Sequence, residues 1–173
     1  RGSVFLLKSI ACGDLRKEHV GGNVTLAGWV HRRRDHGGLI FIDLRDSKGI
    51  VQAVFNPELW PESHAVAEDF RNEWVVVVEG DVEVRPVGTE NPSLATGEIE
   101  VLAKRAEVLN PSKTPPFDLT EDAEVDELLR MQYRYLDLRT ERMHNNIILR
   151  HRVVKYIRDF LDAKEFVEVE TPI

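Results

Sequence analysis

The segment Leu39–Phe55, "LIFIDLRDSKGIVQAVF", constrains the fold more than any other stretch of the chain. Two runs of alternating apolar residues flank a short polar turn, the pattern of an antiparallel β-hairpin. With "DSKG" as the turn, Arg45 faces Ile50, Asp43 faces Gln52 and Phe41 faces Val54. The opposite face then pairs Leu44 with Val51, Ile42 with Ala53 and Ile40 with Phe55. That face is wholly apolar and has to be core. Side chains alternate with period two, so a slip of one residue would bury Asp43 and Gln52 in its place. A single register is therefore predicted, with Phe41, Asp43, Arg45 and Gln52 sharing the face turned away from the core.

The neighbouring segments supply the rest of a barrel. "VTLAGWV" (Val24 to Val30) reads as a strand, continued by Arg32, Arg33 and Arg34 and turned by "DHGG". "PESHAVAEDFRNE" (Pro61 to Glu73) opens on a helix-start proline and carries apolar residues at helical spacing. Trp74 to Arg85 is a valine-rich strand, "PVGTENPSLATG" a loop, and Glu98 to Leu109 the last strand. Three strands, a helix and two strands is the order of a mainly β fold, the five-stranded OB-fold Greek-key barrel often used to bind oligonucleotides.

"NPSKTPPFDLT" (Asn110 to Thr120) then reads as a stiff, proline-rich linker. Beyond it, Leu149, Val153, Ile157, Phe160 and Leu161 fall at helical spacing, and "EFVEVETPI" (Glu165 to Ile173) starts a strand. A helix with an apolar stripe and a lone strand cannot close a core, so the sequence reads as cut in mid-domain. The expected organisation is an N-terminal OB domain over residues 1–109, a linker and hinge over 110–139, and the start of a second, α+β domain over 140–173. Residues 1–10 read equally as native sequence or as a tag.

Composition excludes several classes. With 42% hydrophobic and 31% charged residues, the chain is of ordinary globular type. No apolar run approaches the roughly 18 to 20 residues that span a membrane, so no membrane partner is expected. The single cysteine, Cys12, rules out an internal disulfide and a multi-cysteine metal site, and fits a cytoplasmic protein. The net charge of −7 argues against non-specific coating of nucleic acid, but the charge is segregated. An acidic run from Asp118 to Glu127 is followed by a mostly basic stretch from Arg130 to Arg158.

The outer face of the hairpin is where a ligand fits. An aromatic beside an amide and an arginine suits a base laid flat and read at its edge, and stacking contributes roughly 1 to 3 kcal/mol per base. The same pattern also allows Phe41 to pack under a loop and the polar residues to be merely solvated. The three arginines alternate faces, so at most two serve one ligand; otherwise they form a solvated basic turn. The OB strand order tips the balance towards nucleic acid.

Four ordered blocks carry a resemblance: "GWVHRRRDHGGLIFIDLRDSKGIVQAVF", "NPSLATGEIEV", "LRMQYRYLDLR" and "FLDAKEFVEVETPI". They closely resemble the N-terminal part of bacterial-type aspartyl-tRNA synthetases, which are class II enzymes. The resemblance implies an anticodon-binding OB domain, a hinge, and the opening of the catalytic domain, whose motif 1 helix and strand end at Pro172 and build a homodimer interface. It implies that Phe41 stacks on the central anticodon uridine, that Gln52 reads that base, and that Arg32 and Arg34 hold the anticodon loop. Glu100 matches the residue that recognises the first anticodon position, a guanine, whose N1–H and N2–H₂ are donors suited to a carboxylate. Glu98 lies on the same strand face, and periodicity does not choose between the two. Asn91 is a further candidate in the preceding loop.

His36, in "RRRDHGG", and Gly88, in "VGTEN", resemble the non-discriminating subclass, which charges both tRNA(Asp) and tRNA(Asn) with aspartate. The two tRNAs differ at the third anticodon base, where an altered turn relaxes selectivity. The full-length parent is then an ATP- and Mg2+-dependent ligase acting on L-aspartate. The chain itself shows no phosphate loop, metal-spaced cluster or catalytic triad, so no catalytic residue, no metal site and no cofactor are expected within it, and no aminoacylation activity. Three competing readings remain: a free-standing OB module for single-stranded nucleic acid, a strictly tRNA(Asp)-specific enzyme, and a related asparagine or lysine synthetase. The tight match of "RRRDHGGLIFIDLRD" favours the aspartate enzyme.

Overall fold

The computed structural model describes residues 7–119 and 125–171. The chain forms two compact units that divide between Thr114 and Pro115. The first is a closed five-stranded barrel. Its strands are β1 (Asn23–His36), β2 (Leu39–Asp46), β3 (Gly49–Phe55), β4 (Val75–Val84) and β5 (Ile99–Asn110). They run in the order β1-β2-β3-β5-β4 and close back onto β1. One helix, α1 (Pro61–Glu68), lies between β3 and β4 in sequence. This is the OB arrangement that the sequence predicts.

Closure depends on the length of β1. Its first half, Asn23 to Trp29, pairs with β4, and its second half, Trp29 to His36, pairs with β2. Between them the register shifts from Val30 to Arg32, leaving His31 as a bulge residue that bends the strand from one partner to the next. All pairings are antiparallel except β3 with β5, where Ala53 meets Val101 and Val54 meets Leu102 in parallel.

The predicted hairpin register is the one found: Arg45 opposite Ile50, Asp43 opposite Gln52, Phe41 opposite Val54. Asp46 and Gly49 form one further pair, so the turn proper is Ser47–Lys48. The preceding turn is also tighter than "DHGG" suggests. His36 already pairs with Leu39, and Gly37 and Gly38 alone reverse the chain with φ of 60° and 82°. Positive φ at both central positions is what the two-residue hairpin turn demands, and two glycines supply it without strain.

The inner faces meet as expected. Leu26, Val30, Ile42, Leu44, Val51, Ala53, Phe55, Val76, Val78 and Val101 are all fully buried. The helix ends earlier than the predicted Glu73 because the chain turns inward: Phe70 is fully buried and meets Phe55 edge-to-face at 5.8 Å. Glu73, with φ of 68°, then donates its backbone N–H to the carbonyl of Val30 at 2.7 Å. α1 is tied to the barrel by Ser63, whose hydroxyl donates to the Ala103 carbonyl at 2.9 Å. Cys12 is buried, and burial, with Asp46 nearby, pushes its thiol up to about 12, so it stays a neutral packing residue.

The second unit holds α2 (Glu127–Gln132), α3 (Arg134–Asp137) and α4 (Glu141–Asp162). Asp126 caps α2, its Oδ1 accepting from the backbone of Leu128 and Leu129. Asp137 is buried between Arg130, whose Nε donates to it at 2.8 Å, and Arg134. Those arginines hold its carboxyl below the usual range. The predicted apolar stripe lies on α4, where Leu149, Val153, Ile157, Phe160 and Leu161 are all exposed. The strand expected from Glu165 does not form in the described part, Glu165 to Thr171. A strand needs a neighbour to satisfy its backbone, and none is paired with it. Pro172, the predicted motif 1 residue, lies outside the described residues.

Candidate nucleic-acid interface

The outer face of the barrel gathers side chains from four strands into one hydrogen-bonded network. The register places Arg32 opposite Asp43 and Arg34 opposite Phe41, so these two arginines share the outer face with Phe41, Asp43 and Gln52. Arg33 lies opposite Ile42, on the other face, and pairs instead with Asp35 at 2.9 Å. Of the three arginines, the alternation thus selects the first and third.

Arg34 Nη2 donates to Asp43 Oδ1 at 2.6 Å and to Gln52 Oε1 at 3.2 Å. Gln52 Nε2 donates to Glu100 Oε2 at 2.8 Å. The chain of contacts runs from β1 through β2 and β3 to β5. Gln52 is not the water-facing residue that the pattern predicts: it is only 6% exposed, and Glu100 only 8%. Arg34 reaches it from β1 and Glu100 from β5, 48 positions away, and a two-strand pattern anticipates neither. Phe41 is half-buried beside Arg34, with the buried Val54 opposite it. Arg32 is exposed, and its side chain makes no hydrogen bond or ion pair among the described residues.

Geometry also separates the two glutamates. Glu98 precedes β5, is exposed, and forms an ion pair with Lys17 at 2.6 Å. Glu100 is buried inside the network. Burial raises its carboxyl above the usual range, opposed by the Gln52 hydrogen bond and by Arg85, and reinforced by Glu83. Glu83 lies directly across the β4–β5 ladder.

Sequence reasoning missed Arg85. It is 6% exposed, its Nε donates to the Ile99 carbonyl at 2.9 Å, and its Nη2 is buried without a partner among the described residues. Burial lowers its ionisation, while Glu100 and Asp43 favour the charged form. The signal was parity: Arg85 continues the outward-facing series of Asp81 and Glu83 past the end of β4, towards the strand that carries Glu100. Arg45, by contrast, is diverted from the site. Its Nη2 donates to both Glu73 oxygens at 2.7 and 3.0 Å, and its Nη1 donates to His31 Nδ1 at 2.9 Å. Arginine can only donate, so His31 is the neutral tautomer with its proton on Nε2.

The remaining candidates lie at the margins. His36 is exposed at the end of β1, beside the Gly37–Gly38 turn. Gly88 has φ of 89° in the β4–β5 loop, where its N–H donates to Glu90. Asn91 Oδ1 accepts from the Ser93 N–H at 3.0 Å, which is a loop-shaping role. The Asn91 carbonyl would meet a Cβ at Gly97, so that position needs glycine. None of the three hydrogen-bonds into the network.

Residues 24–109 match the model for the OB-fold nucleic-acid-binding domain, and residues 126–173 the model for class II tRNA synthetases of the D, K and N group. A protein of Heliobacterium modesticaldum (strain ATCC 51547 / Ice1), named aspartate–tRNA(Asp/Asn) ligase, is 55% identical over 97% of this chain and 28% of its own length. A Rubrobacter xylanophilus (strain DSM 9941 / JCM 11954 / NBRC 16129 / PRD-1) protein of the same name is 60% identical over 93% of this chain and 27% of its own. The chain belongs to the aspartyl-tRNA synthetase family.

Its barrel is that family's OB-fold nucleic-acid-binding domain, and its helices match the start of the class II catalytic domain. Among solved structures, a putative aspartyl-tRNA synthetase from Leishmania major Friedlin superposes with a TM-score of 0.84 at 28% identity, covering 99% of this chain and 36% of that one. Asparaginyl-tRNA synthetase from Pyrococcus horikoshii, complexed with asparaginyl-adenylate, gives 0.79 at 30% identity, over 95% and 36%. The chain therefore spans about 28% of the length of the curated relatives it matches. Among the described residues no group of three or more His, Cys, Asp or Glu is arranged to hold a metal ion. The acids at the interface are engaged by arginine and amide.

Proposed function

We propose that the barrel reads the anticodon of tRNA(Asp), and of tRNA(Asn) as well, for a homodimeric cytoplasmic ligase that activates L-aspartate with ATP and Mg2+. The observation that carries this reading is the Arg34–Gln52–Glu100 network beside Phe41, an arrangement of donors and acceptors next to an aromatic ring. In it Phe41 stacks on the central uridine and Gln52 reads that base's edge. The Glu100 carboxylate accepts from the N1–H and N2–H₂ of a guanine at the first position. The exposed, unpaired Arg32 holds the phosphate backbone together with Arg34. His36, at the hairpin tip, and Gly88, in the β4–β5 loop, set tolerance at the third base, with Asn91 shaping that loop.

The names of the relatives, which carry both tRNAs, support the dual specificity. The resemblance of the last block to motif 1 supports a dimer contact at Pro172. The same reading assigns residues 1–109 to the anticodon domain, 110–139 to the hinge and 140–173 to the start of the catalytic domain.

Titration of the chain with GUC and GUU anticodon stem-loops at fixed moderate salt tests this, with a GAC loop as control. Similar binding of GUC and GUU, with GAC at least tenfold weaker, is the expected result. Equal binding of all three loops would mean a sequence-indifferent single-strand module. A tenfold preference for GUC over GUU, about 1.4 kcal/mol, would leave a strictly tRNA(Asp)-specific reader.

A further inference from the structure

Glutamine alone is an ambiguous reader of a pyrimidine. At positions 3 and 4 uracil offers a donor and then an acceptor, N3–H and O4, whereas cytosine offers the reverse, N3 and N4–H₂. A glutamine amide complements either base, because a half-turn about its terminal bond exchanges Oε1 with Nε2. A ring stacked on Phe41 in one pose is therefore read as uracil by one amide orientation and as cytosine by the other. Something besides Gln52 has to choose.

We propose that Arg34 and Glu100 lock the orientation of the Gln52 amide, and so make the site a reader of uracil rather than cytosine at the central anticodon position. This deepens the anticodon-reading assignment and rests on it. Arg34 can only donate, and its Nη2 faces Gln52 Oε1 at 3.2 Å. The Glu100 carboxylate can only accept, and its Oε2 faces Gln52 Nε2 at 2.8 Å. The rotated amide would set N–H against N–H on one side and oxygen against oxygen on the other. Because Gln52 is only 6% exposed, the rotated amide would lose both hydrogen bonds in a largely desolvated site, which is costly.

Each clamp is itself held. Asp43 fixes the Arg34 guanidinium at 2.6 Å, and Glu100 sits in the β5 ladder with the Arg85 charge nearby. An amide carries two N–H donors and two lone pairs. The clamps take one of each, leaving one donor on the Glu100 side and one acceptor on the Arg34 side for the base. Towards the central base, Arg34 and Glu100 act as positioning residues. The consequence is specific: altering Glu100, assigned to the first base, also changes the choice made at the second.

The experiment measures the ratio of GUC to GCC stem-loop affinity for this chain and its variants, with thermal unfolding of each variant as a check on folding. The wild type is expected to favour GUC at least thirtyfold, and Gln52→Leu to abolish that preference. Glu100→Ala is expected to cut it at least tenfold and to broaden the Gln52 side-chain amide resonances. Glu100→Gln, which keeps an acceptor oxygen, is expected to stay within about threefold of the wild-type ratio.

Should Glu100→Ala not fold, Arg34→Met reports the same ratio from an exposed position, where the common loss of phosphate contact cancels. A Glu100→Ala or Arg34→Met variant that keeps the full preference, while Gln52→Leu loses it, overturns the lock and leaves the reader standing. A wild type that does not distinguish GUC from GCC overturns the anticodon reading itself, and the lock with it.

Discussion

The two faces of the β2–β3 hairpin differ by a single residue of register, and they obey different rules. On the inner face Ile42, Leu44, Val51, Ala53 and Phe55 are fully buried and bond to nothing; shape and apolar area decide what is tolerated there. On the outer face Asp43 and Gln52 are tied to Arg34, and Gln52 to Glu100; donor and acceptor identity decides. The comparison teaches that burial alone does not mark a core position. Gln52 is nearly as hidden as Ala53 beside it, yet Ala53 packs in the barrel core and Gln52 sits in a hydrogen-bonded network on the other face.

The largest break in that comparison is on the inner face. Ile42→Ala removes a fully buried side chain and is expected to cost about 2 to 5 kcal/mol in equilibrium unfolding, with GUC-to-GAC selectivity preserved in the folded fraction. Phe41→Ala is the outer-face counterpart. It is expected to leave the unfolding midpoint nearly unchanged while weakening GUC binding by about 1 to 3 kcal/mol, roughly 5- to 150-fold. A core-like loss of stability with unaltered binding would reverse the assignment of the two faces.

Glu100 sharpens the comparison through pH. Burial, the largest influence, raises its carboxyl above the ordinary 4.5, so acid protonates it in the folded chain before the unfolded one. A raised carboxylate costs stability above its folded pKa, and that cost fades as pH falls through the raised value towards the ordinary one. Glu100→Gln is therefore expected to be at least as stable as wild type at pH 7, with the difference shrinking on acidification. Over the same window the wild type is expected to lose affinity for a guanine-first loop, by about tenfold at full protonation, while Glu100→Gln binds weakly at every pH. Stem-loop titrations and urea melts across pH 4 to 7 read both. The smallest effect is at Arg32: Arg32→Ala is expected to weaken all loops alike and to reduce the salt slope of log affinity by about 0.7.

The hairpin register was legible because it is a two-strand property with one apolar solution, and the two outward arginines follow from it by parity. Three features were not. Gln52 reads as exposed because its cover, Arg34 and Glu100, comes from strands outside the hairpin. Arg85 reads as an ordinary strand-end cation, since its burial is made by the Ile99 carbonyl and the β4–β5 loop rather than by its neighbours. The choice of Glu100 over Glu98 depends on where β5 begins, a boundary that alternation leaves free by a residue or two. Resemblance named several of these residues. It did not supply the bonds between them.

The barrel is joined between β3 and β5 by its shortest ladder, Ala53 with Val101 and Val54 with Leu102, while its other strand pairs share far longer ones. Gln52 and Glu100 are the residues just before those pairs, 48 positions apart in the chain, and their side-chain bond extends the ladder by one rung. An RNA that engages both groups straddles the joint, and whatever binds only the closed form stabilises it by mass action. Loading the site is thus also a way of fastening the barrel shut. Amide protons along Ala53 and Leu102 are expected to exchange with solvent more slowly in the complex, and by a larger factor than those of the β4–β5 pair.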